Sequence, residues 1–177
     1  MLNNGQQACR FKWKDLGNID LGRPNLGHTT DIAVYRLMQY TLRDVLIARY
    51  NVETANDILR EAGRLAGTEF CNNLLDRTLD FNGFIANLQE KLRELNIGIL
   101  RIEKADLEKL ELVLTVSEDL DCSGLPESAE TFCGYDEGFL AGILNTYTGK
   151  ELSVKEIDCW TTGNRTCRFS ATLAHKA

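Results

Sequence analysis

Histidine is scarce in this chain of 177 residues, which contains only His28 and His175. Histidine is the side chain that most often moves protons near neutral pH, so a histidine-based acid–base or triad mechanism has little material here. A glycine-rich phosphate loop is also missing, because residues 22–27 lack the preceding strand and the helix spacing of a dinucleotide-binding fold. We therefore expect a protein without enzymatic activity.

Long apolar runs and clusters of basic residues are missing as well. No stretch approaches the roughly 20 apolar residues of a membrane span, and residues 1–15 lack the apolar core of a signal peptide. A formal net charge of -6 argues against a nucleic-acid surface. With 44% hydrophobic and 26% charged residues, the composition is that of a globular protein. We expect a cytoplasmic protein with reduced cysteines, no membrane span and no bound nucleic acid.

Two regions are expected: an extension over residues 1–28, polar and rich in glycine, and a single domain over residues 29–177. Residues 29–49 predict a helix with a wide apolar face, formed by Ile32, Val34, Tyr35, Leu37, Met38, Leu42, Val45 and Leu46. Such a face suggests burial on two sides. The second side could be covered by another subunit of a homodimer or by packing within the domain.

The rest of the chain predicts an α+β fold, with helices packed on a mostly antiparallel sheet of about four strands. Helices are expected over 51–75, 81–95 and 132–147, and strands over 97–103, 110–117, 152–159 and 165–173. Gly63 and Gly67 indicate close approach of another element or of a ligand to the second helix. The row of Gly134, Gly138 and Gly142 indicates a helix lying close on the sheet.

A possible set of zinc ligands lies near the C-terminus: Cys133, Glu156, Cys159 and Cys167. Three thiolates and one carboxylate would close a tetrahedral site and leave no position for a reacting water, which favours a structural metal. A turn at residues 163–164 would bring Cys159 and Cys167 together in a hairpin. Glu156 can join them only if its strand bends or ends near residues 157–158. The alternative is three ordinary buried cysteines and a surface glutamate.

The other cysteines receive no chemical role. Cys9 lies in the N-terminal extension, Cys71 is expected to pack within a helix, and Cys122 lies in an acidic loop. The acidic residues of that loop, which include Asp119 and Asp121, could bind a hard cation. A charged loop is more often simply solvated, and this is our expectation.

Residues 133–142 (CGYDEGFLAG), 156–159 (EIDC) and 163–169 (GNRTCRF) together resemble the signature of the 4-vinyl reductase domain family. In its best understood members, the phenol- and xylene-sensing domains of bacterial transcription activators, three cysteines and a glutamate hold zinc, and this sequence matches all four positions. The resemblance implies a pocket for a small hydrophobic molecule between the helices and the sheet. Phenol-binding relatives use an upstream histidine and tryptophan, and residues 29–132 contain neither, so we do not expect phenol as the ligand.

These observations favour a non-catalytic, zinc-containing sensor or carrier domain that binds an apolar or aromatic molecule as a homodimer. The candidate ligand-binding residues, which an ordinary core could also use, are Phe70, Phe81, Phe84, Leu112, Leu114, Phe139 and Tyr147. Two alternatives stay open. The chain could be a protein-interaction scaffold resembling subunits of vesicle-tethering complexes, acting through an unknown protein partner, or an accessory protein in tetrapyrrole metabolism.

Overall fold

Five α-helices, two short 3₁₀ turns and a four-stranded sheet make up the computed structural model, which describes residues 11–128 and 132–174. The helices are α1 (Ile19–Gly22), α2 (Ile32–Arg49), α3 (Val52–Leu74), α4 (Phe81–Glu94) and α5 (Gly134–Thr148). The strands are β1 (Ile99–Asp106), β2 (Glu111–Ser117), β3 (Leu152–Asp158) and β4 (Cys167–Leu173). They lie in the order β1-β2-β4-β3, and all neighbours pair antiparallel. The predicted α+β class with an antiparallel sheet is confirmed.

The helix boundaries follow from local capping. The side chain of Asn51 accepts a hydrogen bond from the Thr54 amide at 2.8 Å and begins α3. In the same way, Asp80 accepts from the Gly83 amide at 2.8 Å and begins α4. Helix α5 ends at Gly149, whose φ of 68° is a left-handed conformation that favours glycine.

The core lies between the inner face of the sheet and helices α4 and α5. Leu88 and Leu92 of α4 are almost completely buried against it, as are Leu112 and Leu114 of β2 and Phe169 of β4. One face of the sheet is thus apolar, as expected for an antiparallel sheet with a single covered side. Within the described residues, no helix has the length and apolarity needed to cross a bilayer.

Helices α3 and α5 touch backbone to backbone. A Cβ atom on Gly63 or Gly67 would overlap the backbone of α5, and one on Gly138 or Gly142 would overlap the backbone of α3. The predicted close approach at Gly63 and Gly67 is therefore confirmed, and the approaching element is α5. The prediction that the glycine row of α5 lies on the sheet is wrong, because these glycines face α3.

Helix α2 has an unusual orientation, with apolar side chains outward and polar side chains inward. Its outer face consists of five side chains that are each at least half exposed: Val34, Leu37, Met38, Leu42 and Val45. The inward face carries Tyr35, Arg36 and Gln39, which bond to the loop after β2. Packing within the domain, one of the two predicted ways to cover this helix, does not cover the outer face in the described part of the chain.

Candidate metal centre

Four cysteines from separate segments converge at one end of the sheet. Cys122 lies in the loop after β2, Cys133 comes directly before α5, Cys159 follows β3, and Cys167 begins β4. Their Sγ atoms all lie within 4.8 Å of one another, and each residue is at most 1% exposed. We call this group the thiol cluster. It contains the three predicted cysteine ligands and adds Cys122.

The spacing of the sulfur atoms fits a tetrahedral metal. The Sγ atom of Cys133 lies 3.7 Å from that of Cys159 and 3.8 Å from that of Cys167. Zinc–sulfur bonds of about 2.3 Å place two sulfurs of a tetrahedron about 3.8 Å apart. The Sγ atoms of Cys122 and Cys167 are closer, at 2.9 Å, which is still well beyond a disulfide bond. The thiol cluster can therefore hold one metal ion.

Glu156, the fourth predicted ligand, lies beside the thiol cluster but is not a member of it. The pairing of β3 with β4 shifts register between Glu156 and Asp158, so the predicted bend in this strand is confirmed. Both carboxylate oxygens of Glu156 are buried and find no hydrogen-bond partner among the described residues. Burial raises the pKa of Glu156 to about 8. A buried carboxyl group without a partner fits a position next to a cation.

The sulfur of Cys159 has support from its surroundings. The Thr161 hydroxyl donates a hydrogen bond to Cys159 Sγ at 3.1 Å, and Thr161 is itself completely buried. Contacts with Cys122, and then with Cys133 and Cys167, lower the pKa of the Cys159 thiol. A thiolate is the form that binds metal, so this environment favours coordination.

The acidic loop, residues 118–125, is not solvated as predicted. Asp119 and Asp121 are only 4% and 2% exposed, so that expectation is wrong. The physical reason is the inward polar face of α2: the Tyr35 hydroxyl and the Gln39 amide donate to the Asp121 carboxylate at 2.8 and 2.7 Å. These donors supply the bonds that water would otherwise make.

A second group of donors adjoins the thiol cluster. Oxygen atoms of Asp119 and Asp136 lie within 4.8 Å of each other and of Cys133 Sγ. Burial raises the pKa of Asp119 to about 7 and that of Asp136 well above its ordinary value. One end of the molecule thus concentrates buried thiols and carboxyl groups, an arrangement that a bound cation would stabilise.

Sequence reasoning missed Cys122 as part of the cluster. It assigned this cysteine no role because it lies in an acidic loop, at no familiar spacing from the others. The only available signal was that Cys122 is the one other cysteine between residue 112 and the C-terminus. Cys71, by contrast, is completely buried in α3 as predicted, and burial raises the pKa of its thiol to about 11.

The seven candidate ligand-binding residues all contribute to the core. Phe70, Phe84, Leu112 and Leu114 are buried, and Phe81, Phe139 and Tyr147 pack against the core while partly exposed. The rings of Phe84 and Tyr147 stack with centroids 3.8 Å apart, and those of Phe70 and Phe139 meet edge to face at 5.1 Å. The structure brings these residues together with their rings packed on one another. Their contact with a ligand stays a prediction.

An open, mainly apolar cleft of about 450 Å³ lies between α2 and the chain that leads to the thiol cluster. Its walls include Tyr40 and Arg43 of α2, Leu125 and Pro126 of the following loop, and Phe132. The guanidinium of Arg43 lies 4.6 Å from the centre of the Phe132 ring. The cleft adjoins the metal centre, because the Leu125 amide donates to the Cys122 carbonyl at 3.0 Å and Phe132 directly precedes Cys133.

The fold and the thiol cluster define a small α+β domain with a candidate metal centre beside an apolar cleft. Residues 112–173, which contain the whole thiol cluster, match the sequence model of the 4-vinyl reductase domain. The family resemblance that the sequence predicts is therefore confirmed for this part of the chain.

Several solved structures share the fold. The phenol-responsive sensory domain of the transcription activator PoxR, solved with phenol, has a TM-score of 0.66 at 13% identity over 81% of this chain and 75% of that one. A vinyl-4-reductase family protein from Methanocaldococcus jannaschii has a TM-score of 0.58 at 17% identity over 84% and 85%. A trafficking protein particle complex subunit 3 from Naegleria fowleri, covalently bound to palmitic acid, has a TM-score of 0.66 at 11% identity over 81% and 95%. At these identities the likeness concerns the fold.

Proposed function

We propose that this chain is a non-catalytic, zinc-containing domain that binds a small apolar or aromatic molecule. The observation that carries the proposal is the position of the apolar cleft, whose walls are joined directly to Cys122 and Cys133 of the thiol cluster. A metal that fixes these cysteines would also fix the shape of the cleft. Similarity to a sensory domain supports ligand binding as the role of the fold.

The metal has a structural role in this proposal. The thiol cluster joins the loop after β2, the start of α5 and the β3–β4 hairpin, which are far apart in sequence. Zinc held by four protein ligands has no position left for a reacting water. Its binding energy therefore contributes to folding of this end of the domain.

The proposed ligand class follows from the cleft. A volume of about 450 Å³ lies within the usual range for small-molecule pockets. Apolar and aromatic side chains line most of it, and the Arg43 guanidinium at its edge would favour a ligand that also carries a polar or anionic group. The seven core residues would contact the same molecule only if their packed rings separate.

Native mass spectrometry of the freshly purified chain tests the metal and the ligand together. We expect one zinc ion per chain and an additional small-molecule mass. Chains without zinc would contradict the metal centre. If zinc is present without an adduct, the cleft is tested with an added probe, as follows.

The probe is the fluorescent aromatic sulfonate 8-anilinonaphthalene-1-sulfonate. A Leu125→Trp substitution places a larger ring in the cleft and is expected to weaken probe binding about tenfold or more, since it removes apolar contact area. Leu107→Trp is the matched control, because Leu107 is 49% exposed and is not part of the cleft. Equal binding by the wild type and both variants would place the probe elsewhere and contradict a ligand site in the cleft.

The exposed outer face of α2 supports a homodimer, with a protein-interaction scaffold as the second candidate function. Five large apolar side chains that are at least half exposed on one helix face form a surface of the kind that other proteins cover. A second copy of the chain carries the same face and could cover it symmetrically. A different protein could cover it in a scaffold, and similarity to the fold of a trafficking complex subunit agrees with that role.

A further inference from the structure

We propose that Cys122 is the fourth metal ligand of this chain, so that the metal is held by four thiolates and Glu156 stays outside the coordination shell. This inference rests on the proposed metal centre and assigns its last ligand. The family resemblance gives that position to Glu156. The structure offers five donors for four places, and the arrangement of the donors distinguishes them.

Membership of the thiol cluster is the first argument. The Sγ atom of Cys122 lies within 4.8 Å of all three other sulfurs, so one ion can reach all four. No oxygen of Glu156 belongs to that group. Four soft thiolates are a common ligand set of structural zinc sites.

The rigid position of Cys122 is the second argument. The Asp119 carboxylate accepts hydrogen bonds from the backbone amides of Asp121 and Cys122 at 2.9 and 3.0 Å. On both sides of Cys122, the Arg36 guanidinium donates to backbone carbonyls, to that of Leu120 and to that of Ser123, each at 2.8 Å. The loop is thus built to present this thiol to the cluster, and a metal there needs little rearrangement of the backbone.

The surroundings of Glu156 are the third argument. Its backbone amide donates to Glu137 Oε1 at 2.9 Å, which ties its strand to α5. Beside a tetrathiolate centre its carboxyl group would act as an outer partner of the coordinating sulfurs. The short distance of 2.9 Å between the sulfurs of Cys122 and Cys167 must lengthen when both bind the same ion.

X-ray absorption spectroscopy of the zinc-loaded, full-length chain tests the ligand set directly. We expect four sulfur neighbours at about 2.3 Å. Three sulfurs and one oxygen would overturn the inference and leave the proposed metal centre intact. A chain that binds no zinc would contradict both.

Zinc affinity, measured by competition with a chelator, provides the second test. Cys122→Ser is expected to weaken binding more than about 100-fold, beyond the usual effect of losing an outer partner, and Glu156→Gln about tenfold or less. Cys71→Ser is the matched control, since Cys71 is buried outside the cluster, and should leave affinity unchanged. The reverse order of the first two variants would overturn the inference. If Cys122→Ser does not fold, the sulfur count of the Glu156→Gln variant decides, with four expected.

Discussion

Thr161 shows how one residue can tune the candidate metal centre without binding the metal. Its hydroxyl donates to Cys159 Sγ at 3.1 Å, and its backbone carbonyl accepts from the Ser128 amide at 2.7 Å. The first bond would stabilise a thiolate ligand, and the second fixes the end of the segment that lines the cleft. Outer partners of this kind orient ligands and tune their basicity.

Replacing Thr161 by valine should weaken zinc binding. The substitution keeps the branched shape but removes the hydrogen bond to sulfur, so we expect zinc affinity to fall about tenfold in a chelator competition. Thr172→Val, at an exposed position on β4, is the control and should not change affinity. An unchanged affinity for Thr161→Val would show that this hydroxyl does not support the metal centre.

At the scale of elements, the contact between α3 and α5 depends on glycine. The Cβ of an alanine at position 138 would overlap the Arg60 carbonyl, which is rigid helix backbone. At position 134, on the same helix, the nearest atom would be the Asn56 carbonyl oxygen at 3.5 Å, an ordinary contact. The two positions therefore form a matched pair.

We expect Gly138→Ala to lower the free energy of unfolding by about 3 kcal/mol, because the two helices must move apart. Gly134→Ala should change it by about 1 kcal/mol or less, in the stabilising direction, since alanine favours a helix more than glycine does. Urea denaturation measures both values. Similar values for the two variants would contradict the close helix contact.

Elements with strong local signals could be predicted from the sequence. Capping by Asn51 and the alternating apolar residues of β2 are local features, and both elements are observed. The partner of the α5 glycines could not be predicted, because the same spacing fits a sheet or a helix. Cys122 could not be placed either, since its position depends on bonds between the acidic loop and α2, which are distant in sequence.

At the scale of the whole molecule, the main open surface is the outer face of α2. Leu37 and Met38 are 67% and 62% exposed, which is costly for apolar side chains in water. The sequence predicts the width of this apolar face. It could not predict which side points outward, because the polar residues of α2 find their partners in the buried acidic loop.

Charge on this surface should disrupt a homodimer. We expect light scattering to show the wild type as a dimer and the double variant Leu37→Glu with Val45→Glu as a monomer of unchanged secondary structure, because burying carboxylates at the interface is unfavourable. Leu107→Glu, exposed and away from α2, should stay dimeric. A wild-type monomer would contradict the homodimer and favour a different protein as the partner of α2.

The backbone contact between α3 and α5 has a consequence for signalling. Two helices that interlock through Gly63, Gly67, Gly138 and Gly142 cannot slide or rotate past each other without clashes between main chains. This pair is a fixed frame, so a conformational response to ligand must arise in the parts attached to it by side chains. Helix α2 is such a part: it borders the cleft, grips the acidic loop and carries the exposed face. Occupancy of the cleft would therefore be transmitted as a tilt of α2 relative to an unmoving frame.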